Sequence, residues 1–175
     1  VGSCGVSPTL KAAFAARLEA SYGIRPAPAP GQDTFASMEA AAAGAIDIAV
    51  HSLKDLPAEL PAGLCLAAYP EREDPRDVLV TREGGGLEDL PPGATIGTSS
   101  PRRAAITRAL RPDLVVAPVR GNVDTRLRKL AAGEYHAVIL AAAGLRRLGL
   151  EPSHARPLDP EVFVPAVGQG ILGIQ

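Results

Sequence analysis

Two short blocks of the sequence place arginines beside small residues that leave the backbone accessible. They are residues 97–103 (GTSSPRR) and 120–126 (RGNVDTR). A guanidinium offers a rigid fork of donors that fits a carboxylate or phosphate with two parallel hydrogen bonds. The formal net charge is −1, so any cationic site must be local. The blocks predict a pocket for a ligand with several anionic groups; the alternative is that these arginines are solvated on helix surfaces.

A third block, residues 51–57 (HSLKDLP), places a lysine directly before an aspartate, after an apolar run. In a functional interpretation, Lys54 binds an anion and Asp55 stabilises a cation that develops during a reaction. The alternative is a solvated pair in a loop. Neighbouring positive charge should lower the pKa of Asp55 and keep this carboxyl ionised.

Apolar runs and turn residues predict an alternation of strands and helices that would position these blocks. Strands are predicted at 46–50, 64–68, 78–80, 95–97, 114–116 and 137–140, and helices at 8–22, 34–43, 101–110, 123–132 and 142–148. Near-continuous apolar strands alternating with helices indicate a mostly parallel sheet covered on both faces. Both arginine blocks then follow strand ends at helix N-termini, where anions bind, with Ser100 as an N-cap.

Composition excludes several classes of function. Aromatic residues make up 3% of the 175 residues, which argues with the charge against nucleic-acid binding. Neither arginine block contains a GxGxxG or GxxxxGK[ST] motif, so nucleotide binding there is disfavoured. The sequence shows no metal-ligand spacing, no apolar run of membrane-spanning length and no visible signal peptide. We therefore expect a cytoplasmic protein without a metal. Cys65 is expected to be a buried thiol in a strand.

Together, these blocks resemble the porphobilinogen deaminase (hydroxymethylbilane synthase) family. The matching segments occur in the family's order, with family-like spacing, at residues 46–57, 71–77, 96–103, 119–127, 143–149 and 165–170. The resemblance implies a transferase of haem biosynthesis. It would join four porphobilinogen units head to tail with loss of ammonia, on a chain attached to a dipyrromethane cofactor. We expect a monomer that binds this small molecule but neither nucleic acid nor membrane.

The resemblance also implies roles for individual residues. Asp55 corresponds to the catalytic aspartate that contacts pyrrole nitrogens and stabilises the cationic azafulvene left by ammonia. The residues corresponding to cofactor-binding positions are Lys54, Thr98, Ser100, Arg102, Arg103 and Arg126. Those corresponding to substrate-binding positions are Ser52, Arg120 and Gln169.

The implied fold is α/β, with two periplasmic-binding-protein-like domains of mixed, mostly parallel sheets and a cleft between them. The expected boundaries are 1–70 plus 170–175 for domain 1, 76–164 for domain 2, and 71–75 and 165–169 for the connecting segments. A third family domain and its cofactor-bearing cysteine are expected to be absent, because neither Cys4 nor Cys65 matches that position. Cys4 also stands where the family has an arginine.

Two other functions remain open at this point. A diverged homologue could bind a polycarboxylate in the cleft without catalysis, which the altered N-terminus and the expected lack of a third domain favour. A weaker alternative is sequence-specific nucleic-acid binding by the arginine-rich helix starts. Net charge and the scarcity of aromatic residues count against it.

Overall fold

The computed structural model describes residues 38, 39, 42–44, 46 and 48–175 of the chain. The predicted helix at 8–22 lies outside the described residues. So does most of the predicted helix at 34–43, of which Met38, Glu39 and Ala42 are helical and Ala43 lies in a turn.

The larger sheet has five strands in the order β4-β3-β5-β2-β6. Its strands are β2 (Asp77–Thr81), β3 (Thr95–Gly97), β4 (Val115–Ala117), β5 (Ala137–Ala141) and β6 (Ala155–Pro157). β3 pairs in parallel with β4 and β5, whereas β2 pairs antiparallel with β5 and β6. Only β2 therefore runs against the others, so the expectation of a mixed, mostly parallel sheet is confirmed.

Three helices connect these strands: α1 (Pro101–Leu110), α2 (Val123–Ala131) and α3 (Ala142–Arg147). Pro101 occupies the first turn of α1, where its missing N–H costs nothing, and the Ser100 side chain accepts from the Arg103 N–H. Asn122 caps α2 in the same way, accepting from the Thr125 N–H. The predicted bounds of α1 and its cap are confirmed.

The hydrophobic core lies on both faces of the two central strands. β2 and β5 are buried along their whole length, so neither face of these strands meets water. Val78 and Val80 pack into one cluster with residues of α2 and α3. Leu79 packs into the other, which Phe163 covers and α1 borders through Ile106. Burial on both faces explains why these strands read as continuous apolar runs rather than as alternating patterns.

Among the described residues a second sheet has two strands, β1 (Val50–Ser52) and β7 (Leu172–Ile174), which pair antiparallel. The predicted strand at 46–50 is wrong in extent, because the pairing with β7 covers 50–52. The predicted strand at 64–68 is also wrong: this segment makes only an isolated bridge between Ala68 and Ile174. Cys65 lies in this segment and is exposed, so the expectation of a buried thiol in a strand is wrong.

Candidate functional site

A cavity of about 660 Å³ opens at the carboxyl ends of β3 and β4. Both arginine blocks reach it, through Thr98, Ser100, Arg120 and Arg126 among others. Its volume is within the range of roughly 300–1,000 Å³ that is usual for small-molecule sites. The position follows the rule that ligands of open α/β sheets bind beyond the carboxyl ends of the strands.

Hydrogen bonds between the two blocks fix the floor of this cavity. The Thr98 N–H donates to the Ala117 carbonyl at 2.9 Å. The Ser99 hydroxyl donates to the Val119 carbonyl at 2.8 Å. Gly97 is needed directly before this segment, because a Cβ there would come within 2.9 Å of the Tyr135 ring. The two loops are therefore held side by side by the backbone rather than by the arginines.

The walls of the cavity carry three arginines, Arg108, Arg120 and Arg126. Arg126 donates from Nε to the Gly121 carbonyl at 2.8 Å, which fixes its guanidinium beside the second block. Within the described part of the chain, Arg108 and Arg120 make no side-chain hydrogen bond or ion pair. Their donors face the cavity without a protein carboxylate, which is the arrangement that an acidic ligand requires.

Asp77 is a fully buried carboxylate at the start of β2 that binds both arginines of the first block. Oδ1 accepts from Arg103 Nε at 3.0 Å and Nη2 at 2.7 Å, and Oδ2 lies 2.7 Å from Arg102 Nη2. Arg103 also donates from Nη1 to the Ile139 carbonyl at 2.9 Å. Burial raises the pKa of Asp77, but the arginines and Gln169 outweigh burial and hold that pKa below its ordinary value. The ionised carboxylate therefore orients both guanidiniums.

Gln169 joins this buried cluster to the loop that carries Lys54. Its amide nitrogen donates to Asp77 Oδ1 at 2.8 Å and to the Pro75 carbonyl at 2.6 Å. Its amide oxygen accepts from Lys54 Nζ at 3.2 Å. Because Gln169 is itself buried, these bonds form away from water, where they are stronger. A continuous polar path thus runs from Lys54 through Gln169 and Asp77 to Arg103.

Asp55 lies at the end of a short 3₁₀ turn, Leu53–Asp55, that directly follows β1. The carboxyl is half-buried, and burial raises its pKa more than the charges of Lys54 and Arg103 lower it. The direction is opposite to the one expected from the sequence, since desolvation outweighs the cations. The influence of Arg103 shows that Asp55 lies within electrostatic reach of the first arginine block.

The segment before β2 holds a separate charged cluster. Asp74 accepts from Arg76 Nη2 at 2.7 Å and lies 3.1 Å from Arg146 Nη2, and Glu73 pairs with Arg146 at 2.9 Å. Hydrogen bonding from Arg76 lowers the pKa of Asp74 from 3.8 to about 2. These contacts tie α3 to the connection between the two sheets.

All but one of the residues proposed from the sequence, Ser52 being the exception, fall into two groups. Thr98, Ser100, Arg120 and Arg126 line the cavity. The others gather around Asp77 or near it: Lys54, Arg102, Arg103, Gln169 and, through the charge of Arg103, Asp55. Ser52 is half-buried in β1, opposite Leu172.

Sequence reasoning missed Asp77 and Arg108. Nothing near Asp77 in the sequence marks it, because its partners are 26 and 92 positions away. Arg108 could have been found, since it repeats at helical spacing with Pro101 and Ala104, which also line the cavity. In the part of the chain that the structure describes, no helix is long and apolar enough to cross a membrane, and no three metal-binding side chains cluster.

Comparison with known proteins gives a consistent family. A family model described as "Porphobilinogen deaminase, dipyromethane cofactor binding domain" matches residues 32–175. The porphobilinogen deaminase of Sorangium cellulosum (strain So ce56) is 63% identical over 129 residues, which are 74% of this chain and 43% of that protein. That of Roseiflexus sp. (strain RS-1) is 58% identical over 137 residues, 78% of this chain and 45% of that protein. The chain therefore spans less than half the length of these curated relatives.

Solved structures with a similar fold share little sequence with this chain. A periplasmic substrate-binding protein of an ABC transporter from Coxiella burnetii has a TM-score of 0.58 at 16% identity, covering 98% of this chain and 82% of that one. The regulatory domain of OxyR2 (E204G) from Vibrio vulnificus has a TM-score of 0.54 at 12% identity, with coverages of 98% and 82%. At these identities the likeness establishes an α/β fold of the periplasmic-binding-protein kind and nothing about ligands.

Proposed function

Because the chain belongs to the porphobilinogen deaminase family, we propose that it takes part in joining four porphobilinogen molecules into hydroxymethylbilane with release of ammonia. The observation that carries the proposal is the cavity, whose Arg108 and Arg120 face the interior without a carboxylate partner among the described residues. Each porphobilinogen carries an acetate and a propionate, which are the groups a guanidinium binds with two hydrogen bonds.

In the proposed reaction, Asp55 stabilises positive charge on the substrate. The carbon–nitrogen bond of the aminomethyl group breaks, ammonia leaves with the electron pair, and the cation spreads onto the pyrrole nitrogen. A half-buried carboxylate beside that N–H stabilises the cation more than water would, because the surrounding dielectric is low. The raised pKa of Asp55 makes it a more basic acceptor for the same N–H. Bond formation between this cation and the terminal pyrrole carbon of the growing chain would complete the step, with the proton displaced from that carbon passing to the released ammonia.

We propose that the remaining residues bind acidic arms. Thr98, Ser100, Arg120 and Arg126 line the cavity, where they would hold the carboxylates of a dipyrromethane cofactor or of the substrate. Bound there, the cofactor would supply the pyrrole end to which units are added. Gln169 links Lys54, in the same turn as Asp55, to the Asp77 cluster, and Lys54 and Gln169 would position substrate near Asp55. Contacts of Arg102 and Arg103 with the cofactor remain a prediction, since both guanidiniums bind Asp77.

The domain division is also a proposal. Two connections, 71–75 and 165–169, would join a domain of residues 1–70 plus 170–175 to a domain of residues 76–164. The β1–β7 sheet falls in the first and the five-stranded sheet in the second. The two connections bond to each other where Arg72 Nε donates to the Gln169 carbonyl at 3.0 Å. The Glu73 N–H donates to the Gly170 carbonyl, the first residue after the second connection, at 3.0 Å.

Replacing Asp55 in the full-length protein tests the proposed role. We expect Asp55→Asn to lower the rate of ammonia release from porphobilinogen by roughly 10²–10³-fold, the usual loss when one group that stabilises developing charge is removed. Circular dichroism should show an unchanged fold. The matched control is Glu59→Gln, which removes an exposed carboxylate from the same loop and should leave the rate unchanged.

Near-normal turnover by Asp55→Asn would refute the role of Asp55. Saturable binding of porphobilinogen by the wild-type protein without any ammonia would instead support the alternative function, a polycarboxylate-binding protein without catalysis. Salt-dependent binding of DNA would revive the nucleic-acid alternative.

A further inference from the structure

One face of α1 lines the cavity over two helical turns. Pro101, Ala104 and Arg108 are spaced at three and four residues, which places them in one row along the helix, and all three line the cavity. Ser100, at the N-cap, belongs to the end of the cavity proposed for a pyrrole's carboxylates. Arg108 lies eight residues further on, or about 12 Å along the helix axis.

The rotation of α1 is fixed from its opposite side, so Arg108 is held toward the cavity. Arg103 is buried against Asp77, and Thr107 is buried in the core. Just past the helix, Arg111 donates to the Leu87 carbonyl at 2.6 Å and to two further carbonyls of the same loop. Since both ends of the buried side are anchored, the helix cannot turn Arg108 away into solvent without breaking these bonds.

Nothing in the described protein uses the charge of Arg108. Its side chain is exposed and makes no hydrogen bond or ion pair there, whereas Arg128 on α2 donates to the Thr125 hydroxyl and lies outside the cavity. The small side chain of Ala104 leaves the wall open between the N-cap and Arg108. The cavity therefore has anion-binding groups at both ends of this row, the N-cap of α1 and Arg108, about 12 Å apart along the helix axis. A chain of pyrroles spans that length, whereas the two short arms of one pyrrole favour one end.

We propose that Arg108 is a specificity-determining residue that binds a carboxylate of an oligopyrrole ligand, beyond the reach of a single porphobilinogen. The inference rests on the proposed function, because it takes the carboxylate-bearing pyrrole chain as the ligand. It adds that the cavity discriminates by chain length. Arg120 contacts short and long ligands alike, and Arg108 contacts only ligands that extend along α1.

Binding measurements on the full-length protein test this inference without relying on turnover. Calorimetric titrations at low ionic strength would use porphobilinogen as the short probe and uroporphyrin, a stable tetrapyrrole octacarboxylate, as the long one. We expect Arg108→Gln to weaken binding of the long probe by about three- to tenfold while leaving the short probe within about twofold. Arg108→Lys should restore part of the loss, and Arg120→Gln should weaken both probes.

The matched control is Arg128→Gln, which removes the same charge from outside the cavity and should change neither affinity beyond about twofold. Equal effects of Arg108→Gln on both probes, no effect on either, or failure of the wild-type protein to bind the long probe would overturn the inference. Ammonia release by the wild-type protein decides the proposed function separately. A protein that releases none but loses only long-probe affinity in Arg108→Gln would retain the inference and lose the catalysis.

Discussion

Replacing Asp77 with asparagine removes the negative charge that pairs with Arg102 and Arg103 and keeps the shape of the side chain. Asp77 is 0% exposed and Arg103 is 6% exposed, so the guanidinium cannot turn to water when its partner is neutralised. An asparagine oxygen can still accept one hydrogen bond, but its NH₂ would face a second cation, Arg102, across a former contact of 2.7 Å. Breaking a buried pair from one side typically costs about 3–5 kcal/mol. For a chain of this size we expect Tm to fall by roughly 6–20 °C.

The pH dependence separates charge from packing. The pKa of Asp77 is lowered in the folded protein, so its stabilisation is fully present above the ordinary value of 3.8 and is lost as pH falls through the folded pKa. Urea unfolding of the full-length wild type and Asp77→Asn should therefore differ most near neutral pH and converge in acid. The control is Asp113→Asn, which changes an exposed carboxylate whose partner Arg111 keeps its carbonyl contacts, and it should leave the free energy of unfolding nearly unchanged at every pH.

Two results would refute this reasoning. One is a loss of less than about 1 kcal/mol in Asp77→Asn, which would mean that the buried pair is offset by its desolvation. The other is a loss that stays constant from neutral pH to below the ordinary carboxyl range. Such a loss would assign the effect to packing around β2 rather than to the charge of Asp77.

Two further predictions concern the connection between the sheets. Gly170→Ala should destabilise the protein by about 3 kcal/mol or more in urea unfolding, because the φ of Gly170 is +86° and a Cβ would overlap the Glu73 carbonyl oxygen. The control Gly149→Ala, at φ +63° in open space, should cost only about 1–2 kcal/mol. Equal losses in the two variants would contradict the overlap argument. Asp74→Asn should lower the free energy of unfolding by about 1–2 kcal/mol at neutral pH, a figure reduced because the arginine partners of Asp74 are exposed. The pKa of Asp74 is about 2 in the folded protein, so its stabilisation is fully present above the ordinary value of 3.8 and is lost as the pH falls toward 2. Unfolding curves of wild type and variant that fail to converge in acid would contradict this prediction.

Local signals carried most of the correct predictions. Pro101 and Ser100 mark the start of α1 by chemistry that acts within one turn, and the predicted helix bounds agree with the structure. What failed depends on distant contacts. The bounds of β1 are set by its pairing with β7. Val50, for example, pairs with Ile174, which lies 124 positions further along the chain, so no local pattern encodes the pairing.

The pKa of Asp55 shows the same limit in electrostatic form. The sequence displays Lys54 beside it but not how far packing removes the carboxyl from water, and burial decides the direction. In the sequence, Asp77 is one of several acidic residues in a charged segment. Its ion pairs with Arg102 and Arg103 form only when the sheet folds. Charge can be counted from sequence, whereas desolvation is a property of the whole fold.

The strand order of the larger sheet also determines when each strand can pair during synthesis of the chain. β2 is made first of its five strands, yet both of its neighbours, β5 and β6, are made after the others. Thr81 pairs with Ala137, and the chain between them takes roughly 3–11 s to emerge at 5–20 residues per second. Throughout that interval β2, whose Val78–Val80 centre is apolar, lacks both of the strands that pair with it, and exposed apolar segments of this kind favour aggregation of nascent chains or binding by chaperones.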